Sequence, residues 1–271
     1  MSSLSISAAW EESKAILGRD GQLYLSVALA LIALPTTINT LVNPGGMTNS
    51  TPGWAALLGL VASLIGVAGQ LALIRLALGP SVTVGGAIVH GLRRLPVYIA
   101  SVVIIILCFL IVGVPLIFLA MALGVPLQSK PVPASPGLLV ITLLFFALVL
   151  FLAVRFIMAG AVASAEQAGP IAILKRSWNL TSGHFWPLFG FIVVYLIAAV
   201  VVLLAVVSAT GALVGLFIGS VQPLSTGALI LALVQAVVSA AVSTLFFVMI
   251  ARIYAQLAGR DAQVSVRSSG T

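Results

Sequence analysis

Residues 96–123 read PVYIASVVIIILCFLIVGVPLIFLAMAL, an apolar run without a single charged side chain. About 20 apolar residues in a helix cross the hydrocarbon core of a bilayer, so this segment is long enough to span. In hydrocarbon the backbone must satisfy its own hydrogen bonds, which leaves a helix or a closed barrel. A barrel strand would alternate apolar and polar positions, and this run does not. Five further stretches read the same way: 22–42, 54–78, 138–164, 187–213 and 229–255. Turn signals separate several of them, at Asn43-Pro44-Gly45-Gly46, Lys130-Pro131-Val132-Pro133 and Val221-Gln222-Pro223, because proline cannot donate to a helix and glycine relaxes the backbone.

The composition points the same way. Of 271 residues, 62% are hydrophobic and 6% charged, against roughly 25% charged in soluble globular domains. These polar side chains are too few to cover a water-soluble surface, so apolar surface must face lipid. The expected fold is an all-α membrane protein of six transmembrane helices. It forms a single integral membrane domain over 1–271, with a polar C-terminal tail at 259–271. Residues 1–20 carry Glu11, Glu12, Lys14 and Arg19 and do not read as a cleaved leader. The single cysteine, Cys108, can form no intramolecular disulfide and is expected to be a small buried hydrophobe.

The cations set the expected orientation. Lys14 and Arg19 precede the first span; Arg75, Arg93 and Arg94 fall between the second and third; Arg155, Lys175 and Arg176 fall between the fourth and fifth. Arg252, Arg260 and Arg267 close the chain, and of twelve basic residues only Lys130 falls in the opposite loops. Lysine and arginine accumulate on the cytoplasmic side, so both termini are expected there.

The connections on that side are longer than a bundle needs, and each reads as a short interfacial amphipathic helix. Ile6, Trp10, Ser13 and Leu17 share one face of a helical wheel; Val84, Ile88, Leu92 and Leu95 share another; Ile171, Leu174, Trp178 and Phe185 a third, though Ile173 and Leu180 fall on its polar side. A comparable junction follows each: 18–24, 91–98 and 183–189. Each even-numbered span then carries one arginine near this end, Arg75, Arg155 or Arg252, and Gly79-Pro80 and Gly169-Pro170 open the next segment. The order suggests a threefold repeat of interfacial helix plus helical hairpin over about 5–79, 81–168 and 169–258.

The stretch from Arg155 to Gly190 contains an arginine in a span, then Glu166, Gly169-Pro170, Ala172, Arg176-Ser177-Trp178, Thr181 and Gly183. This pattern resembles the signature of the glycerophosphoryl diester phosphodiesterase membrane domain family. The resemblance covers about 35 residues and implies a multi-pass bacterial inner-membrane protein of mostly unassigned activity. It implies no phosphodiesterase chemistry. In such enzymes the reaction belongs to a soluble barrel with a His-Arg-Gly motif and metal-binding carboxylates, whereas here His90 is followed by Gly91 and Leu92.

Two readings of Arg75, Arg155 and Arg252 stand side by side. Near an interface they snorkel and serve as positive-inside anchors; alternatively their planar forks hold lipid phosphates in a ring. Glu166 lies three turns from Arg155, roughly 16 Å away along a helix. Its partner is expected on another segment, from Arg75, Arg252 or Arg176, as a structural ion pair rather than a proton relay. Arg93, Arg94, Lys175 and Arg176 lie on the interfacial segments, where each cation near an anionic surface contributes about 1 kcal/mol. Gly211, Gly215 and Gly219 are spaced for close helix approach, and Gln70 and Gln235 are mid-span amides that can bridge helices. His90 and His184 are solitary in sequence, with no neighbouring nucleophile or carboxylate for a triad.

These features suggest a non-catalytic membrane protein that interacts with phospholipid head groups or scaffolds a lipid-related partner. The alternative is a transporter or channel for a small or lipid-like solute. No cofactor or metal is expected, since five acidic residues offer no paired-carboxylate site. The expected partners are membrane lipids with anionic head groups. Nucleic acid is not expected despite the +7 net charge, because the cations are spread over separate interfacial segments. A protein partner and the oligomeric state stay open.

Overall fold

The computed structural model describes residues 4–42, 52–79, 82–122, 135–217 and 225–269, without the side chains of 41, 42 and 260–269. The turn signals at 43–46, 130–133 and 221–223, with Pro80 and Gly219, lie outside the described residues, as does the side chain of Asp261. Among the described residues the chain is helical throughout and contains no strand. Its elements are α1 (Ile6–Ala28), a π-helical turn (Leu29–Ala33), α2 (Leu34–Val42), α3 (Gly53–Leu78), α4 (Val84–Ala122) and α5 (Pro136–Phe156). After these come α6 (Ala159–Ala165), α7 (Pro170–Thr181), α8 (Phe185–Phe217) and α9 (Thr226–Ser269).

Among the described residues six helices are long and apolar enough to cross a membrane: Ile6–Thr40, Gly53–Leu78, Val84–Ala122, Pro136–Ala165, Phe185–Phe217 and Thr226–Gly259. The expected stretches fall on them in order, so the chain is a multi-pass α-helical membrane protein. Hydroxyls inside these helices are satisfied locally, as hydrocarbon requires. Thr36, Thr37, Ser63 and Thr244 each donate to the carbonyl four residues back.

The core sits at the end that carries the arginines. Leu71, Ile74, Met158, Val162, Ile173, Leu188, Ile250 and Ile253 are fully buried there. Leu107, Ile111, Phe118, Phe146, Leu204 and Leu216, farther along the spans, are exposed large hydrophobics. Cys108 is also exposed. It is not the buried hydrophobe expected, because its stretch of α4 faces the lipid side rather than a neighbouring helix.

The interfacial segments differ from expectation in two ways. Only α7 is a separate helix, ended by Ser182 and by Gly183, whose φ of +83° suits glycine. The first segment runs on into its span, with Asp20 alone off helical geometry (φ −118°, ψ 15°), and α4 continues through Pro96. The buried faces follow the helical-wheel reading only in part: Ser13 and Leu174 are buried, and Ile6, Leu17, Val84, Ile88 and Phe185 pack against the core. Toward the bundle lie Ala9 and Ser13 in α1, Ala87 and Gly91 in α4, and Ile173 and Ser177 in α7. Trp10, Leu92, Ile171 and Trp178 point outward. Both faces of such a helix are covered, one by protein and one by lipid, so the more apolar stripe need not be the one that packs.

Each of these segments packs on an even-numbered span, and the order is cyclic: α4 on α3, α7 on α5 and α6, α1 on α9. Gly91 shows how close the first of these contacts is, since a Cβ there would lie 2.6 Å from the Ala68 carbonyl oxygen. The expected approach at Gly211 and Gly215 is not found. An added Cβ at either meets nothing within 4 Å, which puts both on the open side of α8.

Candidate functional site

The segment from Arg155 to Phe185 doubles back on itself at the arginine end. The fourth span breaks at Ile157 and Met158, between α5 and α6. At the break the Arg155 carbonyl accepts from Ser177 Oγ at 2.9 Å and Thr181 Oγ1 at 3.4 Å. A carbonyl that loses its helical partner needs such donors. Ser177 and Thr181 are fully buried for this reason. Gly169 caps α7 and Pro170 occupies its first turn, where a missing N–H costs nothing.

Where α6 ends, its exposed carbonyls attract cations from other helices, as the negative end of a helix dipole does. Arg75 Nη1 donates to Ser164 O at 3.4 Å, and His90 Nε2 lies 3.0 Å from the same oxygen. The Arg94 guanidinium donates to the Glu166 carbonyl. The Glu166 carboxylate, through Oε1, accepts from Arg176 Nε at 3.1 Å and from the Tyr254 hydroxyl at 2.8 Å. Glu166 thus pairs with Arg176, one of the three partners expected for it. Tyr254 was not foreseen, since a tyrosine at the end of the sixth span carries no sequence signal for a carboxylate 88 positions away.

Arg155 is held differently. Its guanidinium lies 4.6 Å from the Trp178 ring centroid, 5.4 Å from Phe151 and 5.8 Å from Phe185. Its Nε and Nη1 are buried and have no hydrogen-bond partner among the described residues. The aromatic faces offer cation–π attraction of about 1–2 kcal/mol but no acceptor. Beside Trp178 opens a hollow of about 430 Å³ lined by Phe156, Leu174, Lys175, Trp178 and Asn179. The side chain of Lys175 is exposed there.

The third span arginine, Arg252, donates from Nε to Glu12 Oε2 at 2.6 Å, linking α9 to α1. Arg19 pairs with Asp20 at 2.8 Å, and Lys14 with Glu11 at 2.8 Å. Both Arg252 and the Arg19–Asp20 pair border a cavity of about 450 Å³. An apolar groove of about 660 Å³ runs between Trp10 of α1 and Trp186, Tyr195 and Met249 of the last two spans.

The structure therefore gathers Arg75, Arg94, Glu166 and Arg176 at the end of α6, sets Arg155 against the Trp178 ring, places Lys175 in the hollow that Trp178 also lines, and puts Arg252 elsewhere. Arg93 is exposed on α4. Of the mid-span amides, Gln70 donates to the Tyr98 hydroxyl at 3.4 Å and so bridges the second and third spans. An added Cβ on Gly160 would come within 3.2 Å of that amide, so the bridge is closely packed. His184 Nδ1 is buried without a partner.

A family model described as a domain of unknown function (DUF7847) matches residues 4–257. No curated protein and no solved structure matches the chain.

Proposed function

The chain belongs to this family of unknown function, and on the geometry of its arginines we propose that it is a non-catalytic membrane protein that holds anionic phospholipid head groups at Arg155 and Lys175. The observation that carries the reading is a guanidinium with two buried nitrogens lacking any acceptor. Arginine stays charged at any physiological pH, and leaving its buried donors unmatched is costly. A lipid phosphate supplies charge-assisted, two-pronged acceptance at the depth where head groups lie, and Lys175 offers a second cation in the hollow lined by Trp178, the ring that Arg155 faces.

The absence of catalysis is part of the proposal. It is supported by the described carboxylates, which are engaged with cations: Glu11 with Lys14, Glu12 with Arg252, Asp20 with Arg19 and Glu166 with Arg176. Placement in a bacterial inner membrane with both ends cytoplasmic is supported by the distribution of lysine and arginine. The threefold repeat is supported by the cyclic packing of α4, α7 and α1 on the even-numbered spans. Kinship with the glycerophosphoryl diester phosphodiesterase membrane domain is supported by Arg155, Glu166, Arg176, Ser177, Trp178 and Thr181, which meet one another in space. A transporter or channel is the alternative, favoured by the cavity beside Arg252.

Native mass spectrometry with cardiolipin and phosphatidylglycerol tests the proposal. Arg155→Ala and Lys175→Ala are expected to shed anionic lipid that the wild type retains, while Arg176→Ala, whose side chain serves Glu166, keeps it. Equal retention by all three variants would count against the proposal.

A further inference from the structure

The cavity of about 450 Å³ between α1, the end of α3 and α9 has an unusual wall. Two carboxylates and two guanidiniums border it, Glu12, Asp20, Arg19 and Arg252, so its formal charge is zero while its polarity is high. The Glu12–Arg252 and Arg19–Asp20 pairs are set two turns apart on α1, about 12 Å of helix rise. Glu12, Ile16 and Asp20 recur every four residues, which puts them on one face of α1.

The Glu12–Arg252 pair does not close on itself, whereas Arg19 meets Asp20 Oδ2 through both Nε and Nη2 and leaves the other oxygen of that carboxylate free among the described residues. Arg252 uses Nε for Glu12, which leaves the fork of its terminal nitrogens without a partner among the described residues. Glu12 accepts through Oε2, and its second oxygen is likewise unengaged among them. The opposite side of the cavity is apolar, with Leu23, Leu76 and Ala77. Its volume falls within the range of small-molecule sites, roughly 300–1,000 Å³. A simple anion would meet the carboxylates and a simple cation the arginines, each with repulsion. A ligand bearing both signs, with some apolar body, meets neither penalty.

We propose that this cavity binds a zwitterion carrying a primary ammonium and a phosphate, with the phosphate on the terminal nitrogens of Arg252 and the ammonium on Asp20. The span between the two ion pairs suits an extended phosphoethanolamine-type group better than a compact α-amino acid. The cavity lies at the arginine end of the bundle, so the group is either the head of a zwitterionic lipid or its free soluble counterpart. The inference stands apart from the Arg155 reading, because none of its residues touches Arg155.

The test uses the full chain in detergent and in nanodiscs, with O-phosphoethanolamine as the soluble probe. Its affinity is compared with those of inorganic phosphate and ethanolamine. The expected result is that the zwitterion binds at least about tenfold more tightly than either half, since each end contributes a charge-assisted contact. Asp20→Asn is expected to weaken the zwitterion about tenfold while leaving inorganic phosphate unchanged, and Arg252→Gln to weaken both.

The Asp20 side chain is exposed at the surface, which keeps the test usable if the Arg252 variant fails to fold. In nanodiscs, retention of phosphatidylethanolamine over phosphatidylcholine, whose quaternary ammonium cannot donate, assigns the site to the lipid. Binding of the soluble probe without that preference assigns it to the free zwitterion. Affinity no greater than that of phosphate alone, or an Asp20→Asn variant that binds as the wild type does, would sink the proposal. Arg155→Ala is expected to leave every one of these measurements unchanged, so the two readings fail separately.

Discussion

At the Arg252 end of α9 a carboxylate from the first helix meets the guanidinium at 2.6 Å; at the end of α5 aromatic rings surround Arg155 and no acceptor reaches its Nε or Nη1. The two arginines occupy corresponding places in the order of the chain, each near the arginine end of an even-numbered span. One is paired with a carboxylate through a single nitrogen, and the other has aromatic faces against it. The difference shows that an arginine near a span end does not declare its role by position. Its role follows from what the next interfacial helix presents to it, Glu12 in one case and Trp178 in the other. Arg75 is intermediate, spending a nitrogen on the Ser164 carbonyl that it shares with His90.

Three substitutions test this contrast. The largest effect is expected at the Arg75 station, where α4 is seated on α3 through Gly91. Gly91→Leu must push the helices apart, since even a Cβ meets backbone there at 2.6 Å, and the expected loss is about 3 kcal/mol. A thermal midpoint in detergent equal to that of the wild type would show that the contact is looser than described.

Arg252→Leu comes next. It leaves Glu12 without its cation, and with side chains 28% and 40% exposed the cost is about 1–2 kcal/mol rather than that of a fully buried pair. A double-mutant cycle with Glu12→Gln is expected to give a coupling of about 1 kcal/mol; zero coupling would remove the ion pair from the contrast.

Arg155→Leu is expected to change stability least, within about 0.5 kcal/mol in lipid-free detergent, because it removes a charge that has no acceptor. The same variant should lose the stabilisation that added cardiolipin gives the wild type. If Arg155→Leu proves as costly as Arg252→Leu without lipid, the two sites are not different in kind.

Much of the architecture was legible without coordinates. An uncharged run such as 96–123 admits few structures, because bilayer thickness and the cost of unsatisfied backbone fix both length and helical form. The pairing of Glu166 with a cation on another segment was also readable, since an acidic residue at a span end needs one. The packing faces were readable only in part. Ile173 and Ser177 turn inward while Ile171 and Trp178 turn out, because Ser177 must reach the Arg155 carbonyl and lipid accepts the apolar residues left outside. A helical wheel ranks residues by polarity, and polarity does not separate a protein neighbour from a lipid one. Cys108, Gly211 and Gly215 are misread for the same reason.

Composition and the lengths of its apolar runs by themselves determined that this chain threads a membrane as a helical bundle and where its cations concentrate. Only the tertiary structure decided which cations are spent and which are left over. That choice depends on residues as far apart as Glu12 and Arg252, 240 positions in sequence, brought together by the cyclic packing of interfacial helices on even-numbered spans. Local pattern carries the cost of meeting lipid, residue by residue. The identity of an electrostatic partner is a property of distance, which the chain acquires only when it folds.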